Sequence, residues 1–167
     1  MNLDILTPAG QRSARDADRA IALYVAASTG NVFHKTPPWR PADVDGVVAR
    51  TDGTLVSIVE IKCRYNLPLN EFRTRFENEW LLTADKLVRS SAVAKSLGVP
   101  LFGFLYLVAD DVLLIQQLAH ATGEFACVFR CEKTSTQRTI NGGKAERANV
   151  FVSMNGCQQI NNDGYLN

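Results

Sequence analysis

The sequence predicts an α/β fold in a single domain that spans residues 1–167. Three observations predict it: a β-hairpin pattern over 41–62, a helical pattern on each side of it, and an almost uninterrupted apolar run over 100–108. An apolar run of that length is typical of a central strand covered on both faces. A chain of 167 residues can bury a sizeable core, and neither an internal repeat nor a linker indicates a second domain.

The first helix is predicted from its start signal. Thr7 followed by Pro8 is typical of an N-cap with proline at the first helical position, and we expect the helix to continue to about Ser28. At about 100° per residue, its apolar side chains form one stripe that faces the core. The members of this stripe are Ala14, Ala17, Ile21, Tyr24 and Val25. Asp18 borders the stripe, whereas Asp16 points nearly opposite.

The segment Asn31–Arg40 contains two prolines, which predict an irregular loop leading into the hairpin. Lys35, Trp39 and Arg40 in this loop suit stacking on, and charge contact with, an unpaired nucleic-acid strand. Trp39 equally suits a cap on the hydrophobic core.

The hairpin is predicted by Asp52-Gly53, a dipeptide that favours a two-residue turn between two β-rich runs. With that turn, the numbers of facing residues sum to 105, so Asp45 lies opposite Glu60 and Asp43 lies opposite Lys62. Residues two apart share a face of a strand, so all four project from one side. Facing Cβ atoms are about 5 Å apart, which brings two carboxylates together with a lysine beside them.

Two carboxylates this close repel each other, and burial in the sheet adds a desolvation cost. A divalent cation removes both costs, and oxygen ligands suit Mg²⁺ or Mn²⁺. The alternative is a surface hairpin whose charges face water, with Lys62 neutralising Glu60. The flanking residues on both faces are apolar, which favours a buried hairpin with its charges at one end.

A second helix is predicted to start at Thr83 and to end before Gly98. Its inward face carries Lys86, which needs an acidic partner or an anion unless it extends past the core to solvent. The segment Phe72–Trp80 before it is expected to be a short helix or a mobile lid.

The remaining strands are predicted from apolar runs, with weaker patterns beyond His120. We expect strands over Val112–Leu118, Phe125–Cys131 and Val150–Met154, with a polar loop over 134–149. The tail from Gly156 is polar, and we expect it to be frayed.

Composition narrows the classes of protein. The net charge of +1 does not demand a nucleic-acid partner, so any basic surface must be local. No apolar run is long enough for a membrane span, and the N-terminus lacks a signal-peptide pattern. The four cysteines show no metal-binding spacing, so reduced thiols in a cytoplasmic protein are expected.

Asp45-Gly46, the hairpin and Glu60-Ile61-Lys62 together resemble the PD-(D/E)XK nuclease superfamily. The resemblance covers about residues 14–118, and its specific part is confined to 43–62. It implies a restriction endonuclease-like core, in which helices flank a central mixed sheet, and metal-dependent hydrolysis of DNA phosphodiester bonds. Some members carry an iron–sulfur cluster on four cysteines, but the cysteine spacings here do not match.

The resemblance also implies roles for individual residues. Asp45, Glu60 and the carbonyl of Ile61 are expected to hold Mg²⁺ or Mn²⁺, and Lys62 to orient the attacking water. Three further residues are expected to support the site: Asp18 from the first helix, Asp43 as a second layer or as an ion-pair partner of Lys62, and Lys86 from the second helix. The candidate nucleic-acid-binding residues are Arg12, Arg15, Arg19, Lys35, Trp39, Arg40 and Arg64. Asp18 equally suits a surface ion pair, and the arginines of the first helix equally suit a solvated face.

The expected function is a Mg²⁺-dependent deoxyribonuclease guided by DNA structure, since no target-recognition segment is evident. A homodimer would be needed to cut two strands at once. The alternative is a catalytically inactive nuclease-fold module that binds nucleic acid or a protein. A structural protein unrelated to nucleic acids is the third class, and it predicts no basic surface near Asp45.

Overall fold

The computed structural model describes residues 7–37, 42–135 and 146–166. It is an α/β fold in which helices flank a mixed β-sheet. In chain order the elements are α1 (Pro8–Ala27), β1 (Asn31–Lys35), β2 (Gly46–Arg50), β3 (Leu55–Arg64), α2 (Leu69–Thr74), β4 (Glu79–Thr83), α3 (Ala84–Leu97), β5 (Leu101–Leu107), β6 (Val112–Ala119), β7 (Phe129–Ser135), β8 (Glu146–Ser153), β9 (Gln158–Asn161) and β10 (Gly164–Leu166).

The strands form two sheets. The larger sheet has the order β1-β2-β3-β5-β6-β9-β10, and the smaller one has the order β4-β8-β7. β3 and β5 pair in parallel, while the other pairings of the described strands are antiparallel. A parallel pair needs a crossover connection, and the chain supplies it through α2, β4 and α3.

Two hydrophobic clusters cover the two faces of the larger sheet. On one face, Ala20 and Leu23 of α1 pack against Val59 and Phe104. On the other face, α3 and the smaller sheet form the second cluster, which includes Trp80. Trp80 lies so close to the larger sheet that a Cβ at Gly103 would be 2.2 Å from its Cζ3 atom. The side chains of β3 therefore alternate between the α1 side and the α3 side.

The predicted register of the hairpin is confirmed where it matters for the carboxylates. Val47 faces Ile58 and Gly46 faces Val59, as the sum of 105 requires. The turn itself was predicted wrongly, because Arg50 rather than Thr51 pairs with Thr54, which lengthens the loop by one residue. An irregularity between Val48 and Ala49 compensates, since β3 gains one extra residue there.

The first helix has the predicted start, but its rotation was predicted wrongly. The Thr7 side chain accepts a hydrogen bond from the Gly10 amide, as an N-cap does. The buried residues are Ala20 and Leu23, whereas Val25 is 40% exposed. The buried face is thus turned by roughly 100° from the predicted stripe. Small alanines allow α1 to pack close to the sheet, which a stripe of the largest apolar residues does not predict.

The second predicted helix and the central strand are both confirmed. α3 begins after Thr83, and Gly98 ends it in a left-handed conformation with φ 65°. Six of the seven residues of β5 are buried, as the apolar run predicted. None of the helices in the described ranges is long and apolar enough to span a membrane.

Several segments predicted as irregular are strands. Asn31–Lys35 forms β1 against β2, although it was expected to be a loop. Glu79–Thr83 forms β4 against β8, so the proposed helix or lid over 72–80 was wrong in its second half. The polar tail was predicted to be frayed, but Gln158–Asn161 pairs with β6 and extends the larger sheet. Val32 and Phe33 of β1 are adjacent, and Ile160 is the one apolar residue of β9, so neither strand shows an apolar alternation, whereas Trp80 and Leu82 of β4 do alternate.

The bounds of the two late strands were also wrong. β7 begins at Phe129 rather than Phe125, and β8 begins at Glu146 rather than Val150. Part of the loop expected over 134–149 therefore belongs to these strands, and its central residues 136–145 lie outside the described residues.

Candidate active site

Asp45 and Glu60 meet on the face of the larger sheet that α3 covers. Lys86, in the first turn of α3, places its Nζ atom 3.0 Å from Glu60 Oε2 and 3.9 Å from Asp45 Oδ1. Both carboxylates are therefore within 4 Å of one ammonium group. The expectation that Asp45 and Glu60 share one side of the sheet is confirmed.

The position of Asp45 is fixed by the backbone around it. Its Oδ2 atom accepts a hydrogen bond of 2.7 Å from the Ile61 amide, and its own amide donates to the Val59 carbonyl at 2.9 Å. The next residue, Gly46, allows the Phe33 ring to pack against the strand, since a Cβ there would be 2.3 Å from that ring. Asp45 keeps 38% of its side chain exposed, so one side of the carboxylate pair is open to solvent.

Glu60 is the buried member of the pair, with 12% of its side chain exposed. Its pKa is raised to about 8, mainly by burial and next by the neighbouring Asp45 carboxylate, while Lys86 acts in the opposite direction. Its Oε2 atom is buried without a hydrogen bond, although it lies 3.0 Å from the Lys86 ammonium in an ion pair. The two atoms are close enough to form an ion pair, but no hydrogen bond satisfies this oxygen. The site therefore holds a proton near neutral pH unless another cation is present.

Lys86, rather than Lys62, is the lysine that pairs with Glu60. Lys86 neutralises Glu60, and Lys62 is exposed and has no ion pair with the described residues. The alternative in which Lys62 neutralises Glu60 on a wet face is therefore wrong. The expectation that the inward Lys86 needs an acidic partner is confirmed.

Asp43 belongs to the contact between the hairpin and α3. Its Oδ1 atom lies 3.4 Å from Arg89 Nε, and its carbonyl accepts a 2.6 Å hydrogen bond from Ser90 Oγ. The predicted pairing of Asp43 with Lys62 was wrong, because the regular ladder of β2 and β3 ends at Gly46. Asp43 thus anchors the start of the hairpin to the helix that carries Lys86.

The residues present fit a divalent cation in part. Hard oxygen atoms are supplied by Asp45, Glu60 and the Ile61 carbonyl. The Glu60 oxygen that lacks a hydrogen bond is the kind of ligand atom that a cation would bind. The described residues contain no group of three His, Cys, Asp or Glu side chains placed to hold a metal. A cation at the pair would take the place of the Lys86 ammonium, which lies within 4 Å of both carboxyl groups.

The carboxylates of α1 are arranged differently from the prediction. Asp18 was expected to approach the site, but it is 64% exposed and forms an ion pair of 2.7 Å with Lys35. Asp16 faces β3 instead. Burial raises the pKa of the Cys63 thiol to about 12, and the Asp16 carboxylate contributes next. The same carboxylate lies beside Tyr65, whose pKa is raised mainly by burial. The wrong rotation of α1 accounts for the exchange of the two aspartates.

The predicted nucleic-acid-binding residues do not form one patch. Arg19 pairs with Asp111 and Asn162, and Lys35 pairs with Asp18. Arg12 lies 6.0 Å from the centre of the Tyr65 ring, whereas Arg15 is exposed and has no ion pair in the described part of the chain. Trp39 and Arg40 lie outside the described residues.

Arg64 is different from these arginines, because it is half-buried and lines a cavity beside the site. The cavity lies between β3, α2 and the smaller sheet, and sequence reasoning did not find it. The alternation of Trp80 and Leu82 could have predicted the strand β4. It could not have predicted the cavity, because β4 is placed by its pairing with β8, about 70 residues later in the chain.

Comparison with protein-family models gave no match for this chain. Curated proteins and solved structures also gave none.

Proposed function

We propose that this protein is a metal-dependent nuclease that hydrolyses DNA phosphodiester bonds. The observation that carries the proposal is the buried Glu60 carboxyl beside Asp45 at the end of the β2–β3 hairpin. A pair of carboxylates in this position raises the free energy of the folded protein, so a purely structural role does not account for it. The mixed sheet flanked by helices also agrees with the fold that the PD-(D/E)XK resemblance implies.

Asp45, Glu60 and the Ile61 carbonyl would hold Mg²⁺ or Mn²⁺ in this function. A bound divalent cation lowers the pKa of a coordinated water and stabilises negative charge on a phosphate. The Ile61 amide orients Asp45 through its 2.7 Å hydrogen bond, and burial orients Glu60. Lys62, two residues further along the same strand face, would position the attacking water. Lys86 would balance the carboxylates before the cation binds.

The substrate is proposed to be recognised by its structure rather than by its sequence. Arg19 and Lys35 are already paired with carboxylates, so they are poor candidates for reading bases. Arg12 and Arg15 of α1 and Arg64 of β3 have no carboxylate partner within the described ranges. Scattered cations of this kind contact phosphates, which carry no sequence information.

A second candidate function is an inactive nuclease-fold module that binds nucleic acid or a protein. One observation favours it, because the Lys86 ammonium already contacts both Asp45 and Glu60 without a metal. In that case the carboxylates and the lysine would form a closed charge cluster, and a divalent cation would not compete for it.

Calorimetric titration with Mg²⁺ and Mn²⁺, together with cleavage of labelled single-stranded, duplex, flapped and branched DNA, separates the two functions. The nuclease should bind the cation and cut at least one of these substrates. Glu60→Gln should weaken cation binding and abolish cleavage, whereas Glu124→Gln, on an exposed turn, should behave like the parent. A parent protein that neither binds the cation nor cuts any substrate would contradict the nuclease proposal and leave the inactive module.

A further inference from the structure

A cavity of about 690 Å³ lies between β3, α2 and the smaller sheet. Its volume lies within the range of about 300–1,000 Å³ that small-molecule sites occupy. One wall is Trp80, which packs on Gly103, and Gly103 is the β5 residue paired with Glu60. The cavity and the candidate active site therefore adjoin each other on the same face of the sheet.

β3 leads from the carboxylates into the cavity. Glu60, Lys62 and Arg64 are spaced two residues apart and so lie on one face of the strand. Four residues of strand span roughly 13 Å, which corresponds to about four nucleotides at the rise of a stacked DNA strand. A DNA strand with one phosphate at Glu60 can thus place another phosphate, a few nucleotides away, at Arg64.

Two of the three described arginines that line the cavity are paired with carboxylates, and the Glu77 side chain lines it as well. Arg75 pairs with Glu71 at 2.6 Å, and Arg130 pairs with Glu79 at 2.7 Å. Arg64 also lines the cavity, but its guanidinium has no ion pair or hydrogen bond with the described residues. A half-buried guanidinium without a counter-charge is costly, and an anionic group of a ligand would remove that cost.

An aromatic ring stands exposed at the same cavity. Phe76 keeps 43% of its surface exposed, at the point where Glu77 and Asn78 turn the chain with φ values of 52° and 59°. Residues other than glycine seldom adopt this left-handed conformation, and it is strained for Glu77. The paired Arg75 guanidinium lies over this ring, 5.3 Å from its centre, and the unpaired Arg64 lines the same cavity. An exposed aromatic ring and an unpaired arginine in one cavity are the combination that binds single-stranded nucleic acids, through stacking of the base and charge contact with the phosphate.

We propose that this cavity binds an unpaired nucleotide of the DNA strand, with its phosphate on Arg64 and its base against the Phe76 ring. This inference rests on the proposed nuclease function for the identity of the ligand, and it narrows the substrate to DNA with a single-stranded segment. The unpaired DNA strand would run along β3 from the cavity to the carboxylates. In a fully paired duplex, a base would first have to leave the base stack to enter the cavity.

Binding without cleavage tests the proposal. Fluorescence anisotropy in EDTA should show that the full chain binds a labelled single-stranded 12-nucleotide DNA more tightly than the same sequence in a duplex. Arg64→Gln and Phe76→Ala should each weaken single-strand binding by roughly tenfold. Arg64→Gln should also reduce the slope of log K against log salt by about 0.7, since one phosphate contact is lost, and Phe76→Ala should leave that slope unchanged.

Two matched variants control for general effects. Arg50→Gln removes an exposed arginine at the hairpin turn, and Phe125→Ala removes a ring with a similar exposure of 42%. Both should bind like the parent, and thermal melts should show that all four variants fold. Phe76→Ala decides the question if Arg64→Gln does not fold, because Phe76 is exposed.

The inference is overturned if the parent binds duplex as tightly as single strand, or if both cavity variants bind single strand like the parent. Its failure differs from failure of the nuclease proposal. A protein that cuts DNA but whose cavity variants bind normally is a nuclease without this subsite. A protein that binds single strands through Arg64 and Phe76 but never cuts is a binding module with the subsite intact.

Discussion

Glu60→Gln tests whether the carboxylate pair destabilises the metal-free protein. In the folded protein Glu60 has a pKa of about 8, so it keeps its proton up to about that pH. In the unfolded chain its pKa has the ordinary value of 4.5, so the proton is released at lower pH. Between these values the folded state binds more protons, so the free energy of unfolding of the parent falls as pH rises. Glutamine has no proton to release, so the variant lacks this loss.

The magnitude follows from the difference between the two pKa values. Each pH unit in the interval is worth about 1.4 kcal/mol, so the variant should gain on the parent by up to about 5 kcal/mol from pH 4.5 to pH 8. Below pH 4.5 both states are protonated, and above pH 8 both are ionised, so the difference is constant there. A fixed cost of losing the contact with Lys86 shifts the whole curve and does not change its slope.

Urea denaturation in EDTA at pH 5, 6.5 and 8 measures this difference. Glu124→Gln, which removes an exposed carboxylate outside the site, serves as the matched control. A difference between Glu60→Gln and the parent that stays constant from pH 5 to pH 8 would refute the argument. In a second series without EDTA, Mg²⁺ at 100 times its dissociation constant should stabilise the parent by about 2.7 kcal/mol and the variant by much less.

Four further changes have separate outcomes. Lys86→Met should lower the stability of the metal-free protein by about 3 kcal/mol in urea and tighten Mg²⁺ binding in calorimetry, and an unchanged Mg²⁺ affinity would argue against a cation at the pair. Lys62→Ala should leave Mg²⁺ binding intact but slow DNA cleavage by roughly 10²–10⁴-fold, and cleavage at the parent rate would make Lys62 a surface charge. Asp111→Asn should cost about 1 kcal/mol at pH 7, because it removes the half-exposed charge that faces Arg19, and asparagine tolerates the φ of 52°. That cost should vanish toward pH 2, where Asp111 itself becomes protonated, because Arg19 lowers its pKa to about 2. Asp18→Asn should change the urea midpoint little, since its ion pair is exposed, and a loss above 1 kcal/mol would contradict the described position.

The centre of the fold was predictable because its residues are dictated by local rules. Continuous burial of β5 is visible as an apolar run, and Gly98 marks the end of α3. The pairing of Asp45 with Glu60 followed from the alternation of the hairpin, even though the turn was wrong by one residue. Lys86 was found because a lysine on an inward helix face needs a partner.

The errors arose where distant partners decide the structure. The rotation of α1 depends on Ala20 packing closely against β3 and β5, and hydrophobicity alone favours the larger Ile21. β9 has one apolar residue, Ile160, and its pairing with β6 supplies the order that the sequence pattern lacks. The contact of Asp43 with Arg89 was not predicted, because the ladder of β2 and β3 was expected to continue to Asp43. The ladder ends at Gly46 instead, so Asp43 is free to meet Arg89 of α3.

The extra residue in β3 makes the hairpin tip a suitable place for a label. The irregularity between Val48 and Ala49 separates the pairs near the turn from those next to Asp45 and Glu60. Residues added within the exposed loop around Gly53 would change the pairing on the turn side, while burial of Val48 and Ile58 holds the pairing on the other side. A fluorophore-binding peptide inserted there would report on the protein in solution without moving the carboxylates relative to each other.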